Sequence, residues 1–283
     1  MPELPEVESV RRQLAPLIEG RTVVGVARDP YPSRRLGDVE RARGGRIGTV
    51  ARRGKFLLAP LSGPPPHPSE LVLHLGMSGI LRVLPADDPA GRPGGTDPHV
   101  RVRLELDDGT ALVLRDARRF GRVDVVAPGD RSRLPTLAAL GPEPLEEAFD
   151  PDVFAAALAR SGAPVKARLL DQRLVAGVGN IYADEALWRA RVHPAARRVS
   201  RPAALRLHAA VREVLAAAVA REGTTFRDYR LVNGASGRYL TELDAYGRGG
   251  QPCRRCGTTL GTSTVAQRGT VHCPRCQRAG RSG

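Results

Sequence analysis

Aromatic residues make up only 4% of this 283-residue chain, too few for a broad stacking platform of the kind that holds single-stranded nucleic acid. No apolar run is long enough to cross a bilayer. The N-terminus is acidic and has no apolar core segment, which excludes a secretory signal. Together these absences describe a soluble cytoplasmic protein with no membrane partner. Lysine is nearly absent: only Lys55 and Lys166 stand among 44 basic residues. Arginine keeps its charge under ordinary conditions, whereas a lysine amine can give up a proton, so these two positions draw attention. Cysteine is missing from the first 252 residues.

The formal net charge is +14 and the isoelectric point about 10.9, an excess that speaks of partners rather than fold and suits a polyanion such as nucleic acid. The length allows one large domain or two modest ones. Nothing in the chain calls for more than a monomer. The four cysteines all fall near the C-terminus, as Cys253, Cys256, Cys273 and Cys276, in a C-x2-C-x16-C-x2-C pattern. In a cytoplasmic protein two close thiolate pairs read as one structural, tetrahedral Zn2+ site rather than as disulfides.

Residues 5–19 read as a helix. Pro5 suits the first turn, Glu6 and Glu8 favour its positive end, Gly20 stops it, and Val7, Val10, Leu14, Leu17 and Ile18 share one face. From 21 to about 127 the texture is short β segments between Gly- and Pro-rich turns. "VRVRLELDDGTALVLRD" predicts a hairpin about Asp108-Gly109 with Val102, Leu104 and Leu106 facing a core. The stretches 63–68 and 85–98 read as long surface loops. Residues 151 to about 222 are helical in pattern, and the cysteine module closes the chain. The fold class is α+β and multidomain: 1–130, a β-sandwich or barrel-like domain with an N-terminal helix; 131–150, a linker; 151–245, a helical domain; 246–283, a four-cysteine zinc finger.

Several short stretches admit a chemical reading beside a structural one. In "MPELPEVE" the prolines and glutamates suit a helix start. Removal of Met1 before a small residue, however, would leave Pro2 with a free secondary amine. "GVGNIY" places glycines between two helices, where a backbone can approach a phosphate and the next helix offers its N-terminus; the same glycines serve in an ordinary tight turn. "HLGMSG" and "DARRFG" each end a predicted strand. Met77 and Phe120 could wedge into a base stack beside Arg118, or could be core residues.

Taken in order, "PELPEVE", "RRGKFL", "HLGMSG", "DARRFG", "GVGNIYADEAL" and the four-cysteine module closely resemble the bacterial formamidopyrimidine-DNA glycosylase (Fpg/MutM) family, over nearly the whole chain. The resemblance implies a β-sandwich, a helix–two-turn–helix domain and a zinc finger. It implies a bifunctional DNA glycosylase/AP lyase of base excision repair, acting in the bacterial cytoplasm at the nucleoid. Such an enzyme excises oxidised purines, chiefly 8-oxoguanine and formamidopyrimidines, from damaged double-stranded DNA and then cuts the strand by β,δ-elimination.

By the same resemblance Pro2 is the nucleophile, Glu3 its proton shuttle, Lys55 an acid–base group in elimination and Arg268 an electrostatic partner of the same step. Met77, Arg118 and Phe120 fill the gap left by a flipped nucleotide. Lys166 and Asn180 contact the DNA backbone, and "GTTFRDYRLVNGASGRYL" closes over the extruded base. The family often carries His-x-His where this chain has "TDPHV", so only His99 of that pair remains and Asp97 stands at the other position. A family basic position near Ser161 is also missing, with Arg160 beside it. Two alternatives stand beside this reading: an endonuclease VIII-like glycosylase for oxidised pyrimidines, and a non-catalytic zinc-finger DNA-binding relative.

Overall fold

The structure, a computed structural model, describes residues 1–31, 33, 35–224 and 242–278. The chain divides into two compact units. One is Met1–Ala138 with Glu222–Thr224, the other Ala139–Arg221 with residues 242–278.

The first unit begins with helix α1 (Leu4–Ile18), capped at Glu3. A reciprocal capping box links Glu3 and Glu6, which satisfies two of the N–H groups a helix start leaves unpaired. Val7, Val10, Leu14 and Ile18 are buried as their spacing predicts, but Leu17 is exposed; it lies at the edge of the apolar stripe. Two antiparallel sheets follow. One runs β1 (Val23–Arg28), β7 (Val100–Leu106), β8 (Thr110–Arg115), β6 (Ile80–Pro85). The other runs β2 (Arg46–Ile47), β4 (Phe56–Ser62), β5 (Ser69–His74), β9 (Arg122–Val126), with β3 (Ala51–Arg53) also paired to β4. Side chains of both sheets and of α1 share one core, including Val10, Leu57, Leu73, Leu104 and Leu112. This is a sandwich with a helix packed on it.

The hairpin forms about Gly109, whose φ of 78° a side-chain-bearing residue adopts at a cost. Strict alternation fails there in one respect. Arg101 and Arg103, on the face opposite Val102 and Leu104, are buried as well. Arg103 donates to Ala86 O and pairs with Glu105, and Gly91 packs against its guanidinium. The 85–98 stretch is therefore not simply a surface loop: part of it covers the outer face of this sheet.

The second unit holds α3 (Pro151–Ala159), α4 (Val165–Leu170), α5 (Asn180–Ala190) and α6 (Arg201–Ala220), after a short α2 (Pro135–Ala138) that belongs to the first unit. Asp150 caps α3 through Asp152 N and Val153 N, both at 2.8 Å. The stretch 131–150 is no free linker. Arg133 binds Asp38 and Asp124 in the first unit, whereas Phe149 is in the helical core, stacked on His208. The cysteine module carries the hairpin β10 (Gly261–Val265) and β11 (Arg268–His272). It is fastened to α5 by Glu185, whose buried carboxylate accepts from the N–H groups of Asp244, Ala245 and Tyr246 at 2.8–2.9 Å. No helix among the described residues is long and apolar enough to cross a membrane.

Candidate nucleic-acid and catalytic sites

In the first unit the N-terminus is a built structure rather than a loose end. Pro2 is buried and Glu3 is 2% exposed. Glu6 Oε2 accepts from Glu3 N at 2.8 Å, and Glu6 Oε1 accepts from Thr224 N at 2.7 Å and Thr224 Oγ1 at 2.9 Å. Glu6 thus does more than favour a helix dipole: it orients the peptide that follows Pro2 and ties it to residue 224. The expected lesion-closing segment lies outside the described residues beyond Thr224.

Lys55 sits in the tight turn between β3 and β4, after Gly54 at φ 56°, and is buried. Next to it in chain order, Phe56 pairs across the sheet with His74, and their rings lie 4.5 Å apart. Burial and the positive charges of Lys55, Arg35 and Arg122 pull the His74 imidazole down to about 4. It is neutral at physiological pH, with Nδ1 accepting from Gly76 N at 3.1 Å.

The motifs "HLGMSG" and "DARRFG" meet. Asp116, fully buried, accepts from Ser78 Oγ at 2.6 Å and Arg118 N at 3.2 Å through Oδ1, and from Gly121 N at 2.6 Å through Oδ2. Gly76, at φ 61°, lies so close to the Phe120–Gly121 peptide that a Cβ there would fall 2.4 Å from Phe120 C. The two loops are one rigid assembly. On it Phe120 is exposed, flanked by the guanidinium groups of Arg118 at 5.1 Å and Arg35 at 5.6 Å. The core-residue reading of Phe120 therefore fails, and Met77 is half-buried on the neighbouring turn. Arg101 supports the assembly from beneath, donating to Asp116 O at 2.7 Å and pairing with Asp29 at 2.6 Å.

His99 is half-buried, and its backbone N–H donates to Asp97 Oδ1 at 2.9 Å. Asp97 also pairs with Arg115 at 2.6 Å. Burial works against ionisation of Asp97, but the His99 N–H and Arg115 outweigh it and hold the carboxyl below its usual range. Its charge is spent within the protein.

In the second unit Asn180 opens α5 after Gly179, with Gly177 at φ 83°. Gln172 locks the glycine turn, accepting from Gly177 N and donating to Val178 O, both at 2.9 Å. The Asn180 amide donates to Gly269 O at 3.0 Å, so this side chain grips the hairpin as well as standing at the positive end of a helix. Arg268 is exposed beside the hairpin tip, where Ala266 and Gln267 both have positive φ as a two-residue turn requires.

Lys166 requires a correction. It is wholly buried, 2.7 Å from Asp184 Oδ1, and donates to Thr270 Oγ1 at 2.8 Å and Gly269 O at 3.0 Å. The ammonium is held inward by these two hydrogen bonds and by the ion pair with Asp184. A direct phosphate contact is not the role this geometry gives it; Lys166 fastens α4 and α5 to the hairpin that carries Arg268. Burial pushes the Asp184 carboxyl up to about 6, against the pull of Lys166 and the Val271 N–H.

The sulfur atoms of Cys253, Cys256, Cys273 and Cys276 all lie within 4.8 Å of one another, a spacing that a four-coordinate ion with metal–sulfur bonds of about 2.3 Å can close. The thiols need a cation. Hydrogen bonds from Thr258 bring Cys256 down to about 6, while burial and the neighbouring sulfurs push Cys276 up to about 12. All four cannot ionise side by side without a positive ion to hold them. Trp188 Nε1 donates to Cys253 Sγ at 3.4 Å, orienting that thiolate. The donor set fits one structural zinc ion.

Glu6, Asp116, His74 and Asp184 are the residues sequence reasoning missed. The aspartate of "DARRFG" and the histidine of "HLGMSG" lay inside quoted motifs, but nothing local distinguished a buried hub from a solvated turn residue.

Comparison with known proteins matches three family models along the chain: the formamidopyrimidine-DNA glycosylase N-terminal domain over residues 1–123, the formamidopyrimidine-DNA glycosylase H2TH domain over 140–230, and a zinc finger found in FPG and IleRS over 250–279. A formamidopyrimidine-DNA glycosylase of Deinococcus radiodurans is 46% identical over 287 residues, covering 98% of this chain and 97% of its own. One from Thermus thermophilus is 48% identical over 285 residues, covering 99% and 100%. Among solved structures, the MutM (Fpg) protein of Thermus thermophilus superposes with a TM-score of 0.87 at 47% identity, over 99% of this chain and 100% of that one. Lactococcus lactis Fpg in complex with an abasic site containing DNA gives 0.84 at 33%, over 98% and 99%.

Proposed function

The chain belongs to the formamidopyrimidine-DNA glycosylase family, and from that premise we propose that Pro2, freed of the initiator methionine, is the nucleophile of its reaction. The protein is a bifunctional DNA glycosylase and AP lyase of base excision repair that binds DNA and carries one structural zinc ion.

The observation that carries the residue assignment is the hydrogen bond from Glu3 N to Glu6 Oε2 at 2.8 Å, which fixes the peptide directly after Pro2. An α-amine titrates near pH 8, so a useful fraction of Pro2 is neutral at physiological pH. Its lone pair attacks the deoxyribose C1′, and the glycosidic bond breaks with its electron pair passing to the departing oxidised purine. The attacking nitrogen gives up its proton to Glu3, and its regenerated lone pair then expels the ring oxygen, which takes that proton from Glu3, leaving an iminium between Pro2 and C1′. Loss of a C2′ proton into that electron sink breaks the C3′–O bond. A second elimination breaks the C5′–O bond. Lys55 supplies acid–base work in these steps. Arg268 acts through its charge, since a guanidinium does not readily give up a proton.

Met77, Arg118 and Phe120 occupy the gap in the stack once the damaged nucleotide is turned out, Arg118 facing the orphan base. The exposure of Phe120 beside Arg118 and the rigidity conferred by Asp116 support that role. Asn180 and His99 contact the backbone of the damaged duplex. We infer that the enzyme works as a monomer at the bacterial nucleoid in the cytoplasm; what supports the bacterial setting is that relatives such as those of Deinococcus radiodurans and Thermus thermophilus are bacterial.

Borohydride trapping on an 8-oxoguanine duplex tests the mechanism. A single covalent adduct is expected on the N-terminal peptide, from protein whose N-terminal mass shows Met1 removed. Unblocked protein that never traps would sink the reading. A parallel thymine-glycol duplex tests the purine preference, which requires faster adduct formation on the 8-oxoguanine substrate.

A further inference from the structure

Helix α5 and strand β11 run side by side in the second unit, and the pair has two distinct ends. At one end Asn180 meets Gly269, and Asp184 Oδ2 accepts from Val271 N at 3.0 Å; Arg268 lies here. At the other end Trp188 meets Cys253, and Arg255 donates to Trp188 O at 3.1 Å. The 11 residues of α5 separate these ends by about 16 Å.

The far end is unusually basic. A shallow basin of about 600 Å³ is lined by Arg191, Arg255, Arg275 and Arg278 together with Cys256 and Cys276. Among the described residues no carboxylate lines it. Nearby, Arg189 pairs with Glu213 at 3.5 Å and Arg254 with Asp244 at 3.6 Å. By contrast, Arg191, Arg275 and Arg278 have no acidic partner among the described residues. Arg255 is preset: it stacks over Trp188 at 4.0 Å and caps the last carbonyls of α5. Arg191 ends α5 in the left-handed conformation, at φ 57°. A zinc ion held by four thiolates carries a charge of about −2, which leaves the four guanidinium groups with about two positive charges in surplus. The lining of the basin is mainly polar, and its guanidinium groups are forked donors of the kind that match phosphate oxygens.

We propose that this basin is a second phosphodiester-binding surface, which takes the backbone of a duplex segment other than the one held at the Asn180 end. It goes beyond the functional reading above but rests on its assignment of the Asn180 and Arg268 end to the damaged duplex. A search enzyme with two backbone sites about 16 Å apart can touch a second segment before releasing the first, and so pass between segments without full dissociation.

The test uses the full-length zinc-loaded protein and a triple variant, Arg191→Gln, Arg275→Gln and Arg278→Gln; Arg255 is kept because it caps α5. A donor-labelled 8-oxoguanine duplex is bound first, and an acceptor-labelled undamaged duplex is titrated in at low salt. Energy transfer between the two duplexes is expected for the wild type. In the variant, affinity for the second duplex should fall tenfold or more, with the salt slope of that step shallower by about 2.7, the value for three lost phosphate contacts. Single-turnover excision with saturating damaged duplex should stay within about twofold, and zinc content and melting temperature should be unchanged.

Bridging that persists in the variant overturns the proposal. So does a variant that loses zinc, which would make the arginines partners of the thiolates. A wild type that ignores the second duplex but retains polyglutamate overturns it in favour of an acidic protein partner. Arg268→Ala separates the two readings. It should weaken binding of the damaged duplex and leave capture of the second intact; the reverse pattern would refute the assignment of the Asn180 end instead.

Discussion

Lys166 Nζ lies 2.7 Å from Asp184 Oδ1, with both side chains wholly removed from solvent. A pair of this kind draws little net stability from its own attraction, but removing one partner strands the other charge in a low-dielectric interior. Its structural yield is the fastening of the hairpin: Lys166 also binds Gly269 and Thr270, and Asp184 binds Val271.

Lys166→Met should therefore destabilise the second unit by about 3–5 kcal/mol, read by chemical denaturation. A phosphate contact and a buried fastener make different predictions for binding. The salt slope for duplex DNA should be unchanged under conditions where the variant remains folded, whereas loss of a phosphate contact would flatten it by about 0.9.

Asp116 joins two motifs through one carboxylate, so Asp116→Ala frees both. Ser78 Oγ and the N–H groups of Arg118 and Gly121 lose their acceptor, at about 1–3 kcal/mol for each donor left buried. Excision of 8-oxoguanine from duplex DNA should fall tenfold or more. Cleavage at a preformed abasic site, where no base need be turned out, should fall less. Equal losses on the two substrates would point to general unfolding, which circular dichroism would register.

His74 makes stability depend on pH, in a direction set by its environment. Its folded value of about 4 lies below the ordinary 6.5, so between these values the unfolded chain takes a proton that the folded one refuses. The contribution is full above about pH 6.5 and is lost as pH falls through 4, amounting to about 3 kcal/mol at most. His74→Gln should lose that much of the acid dependence, measured as the difference between the two proteins' denaturation midpoints from pH 7 to 4. Protonation would also take the Nδ1 acceptor from Gly76, so activity should decline in the same window.

Zinc removal can be followed at a single chromophore. Trp188 is the only tryptophan in the chain, and it touches Cys253 and lies beneath Arg255. Chelation should shift its emission to the red as the cysteine module loosens, since the module's few buried side chains cannot hold it without the metal. Damaged-duplex binding should fall in parallel, and added zinc should restore both signals.

What the sequence determined by itself was local or chemically specific. The N-terminal helix, read over 5–19 and observed at Leu4–Ile18, the hairpin about Gly109 and the four-thiol zinc site follow from turn chemistry, periodicity and ligand spacing over a few residues each. The order of the motifs was enough to identify the family. Only the tertiary structure decided which polar residues are hubs. Asp116 meets Ser78 across 38 residues, Lys166 meets Thr270 across 104, and Glu6 meets Thr224 across 218. Tertiary packing also buried Arg101 and Arg103 on a face whose alternation reads as solvent-exposed. The physical reason is the same each time. Whether a charged side chain reaches water or a partner depends on what the rest of the chain lays over it, and no window of neighbouring residues contains that information.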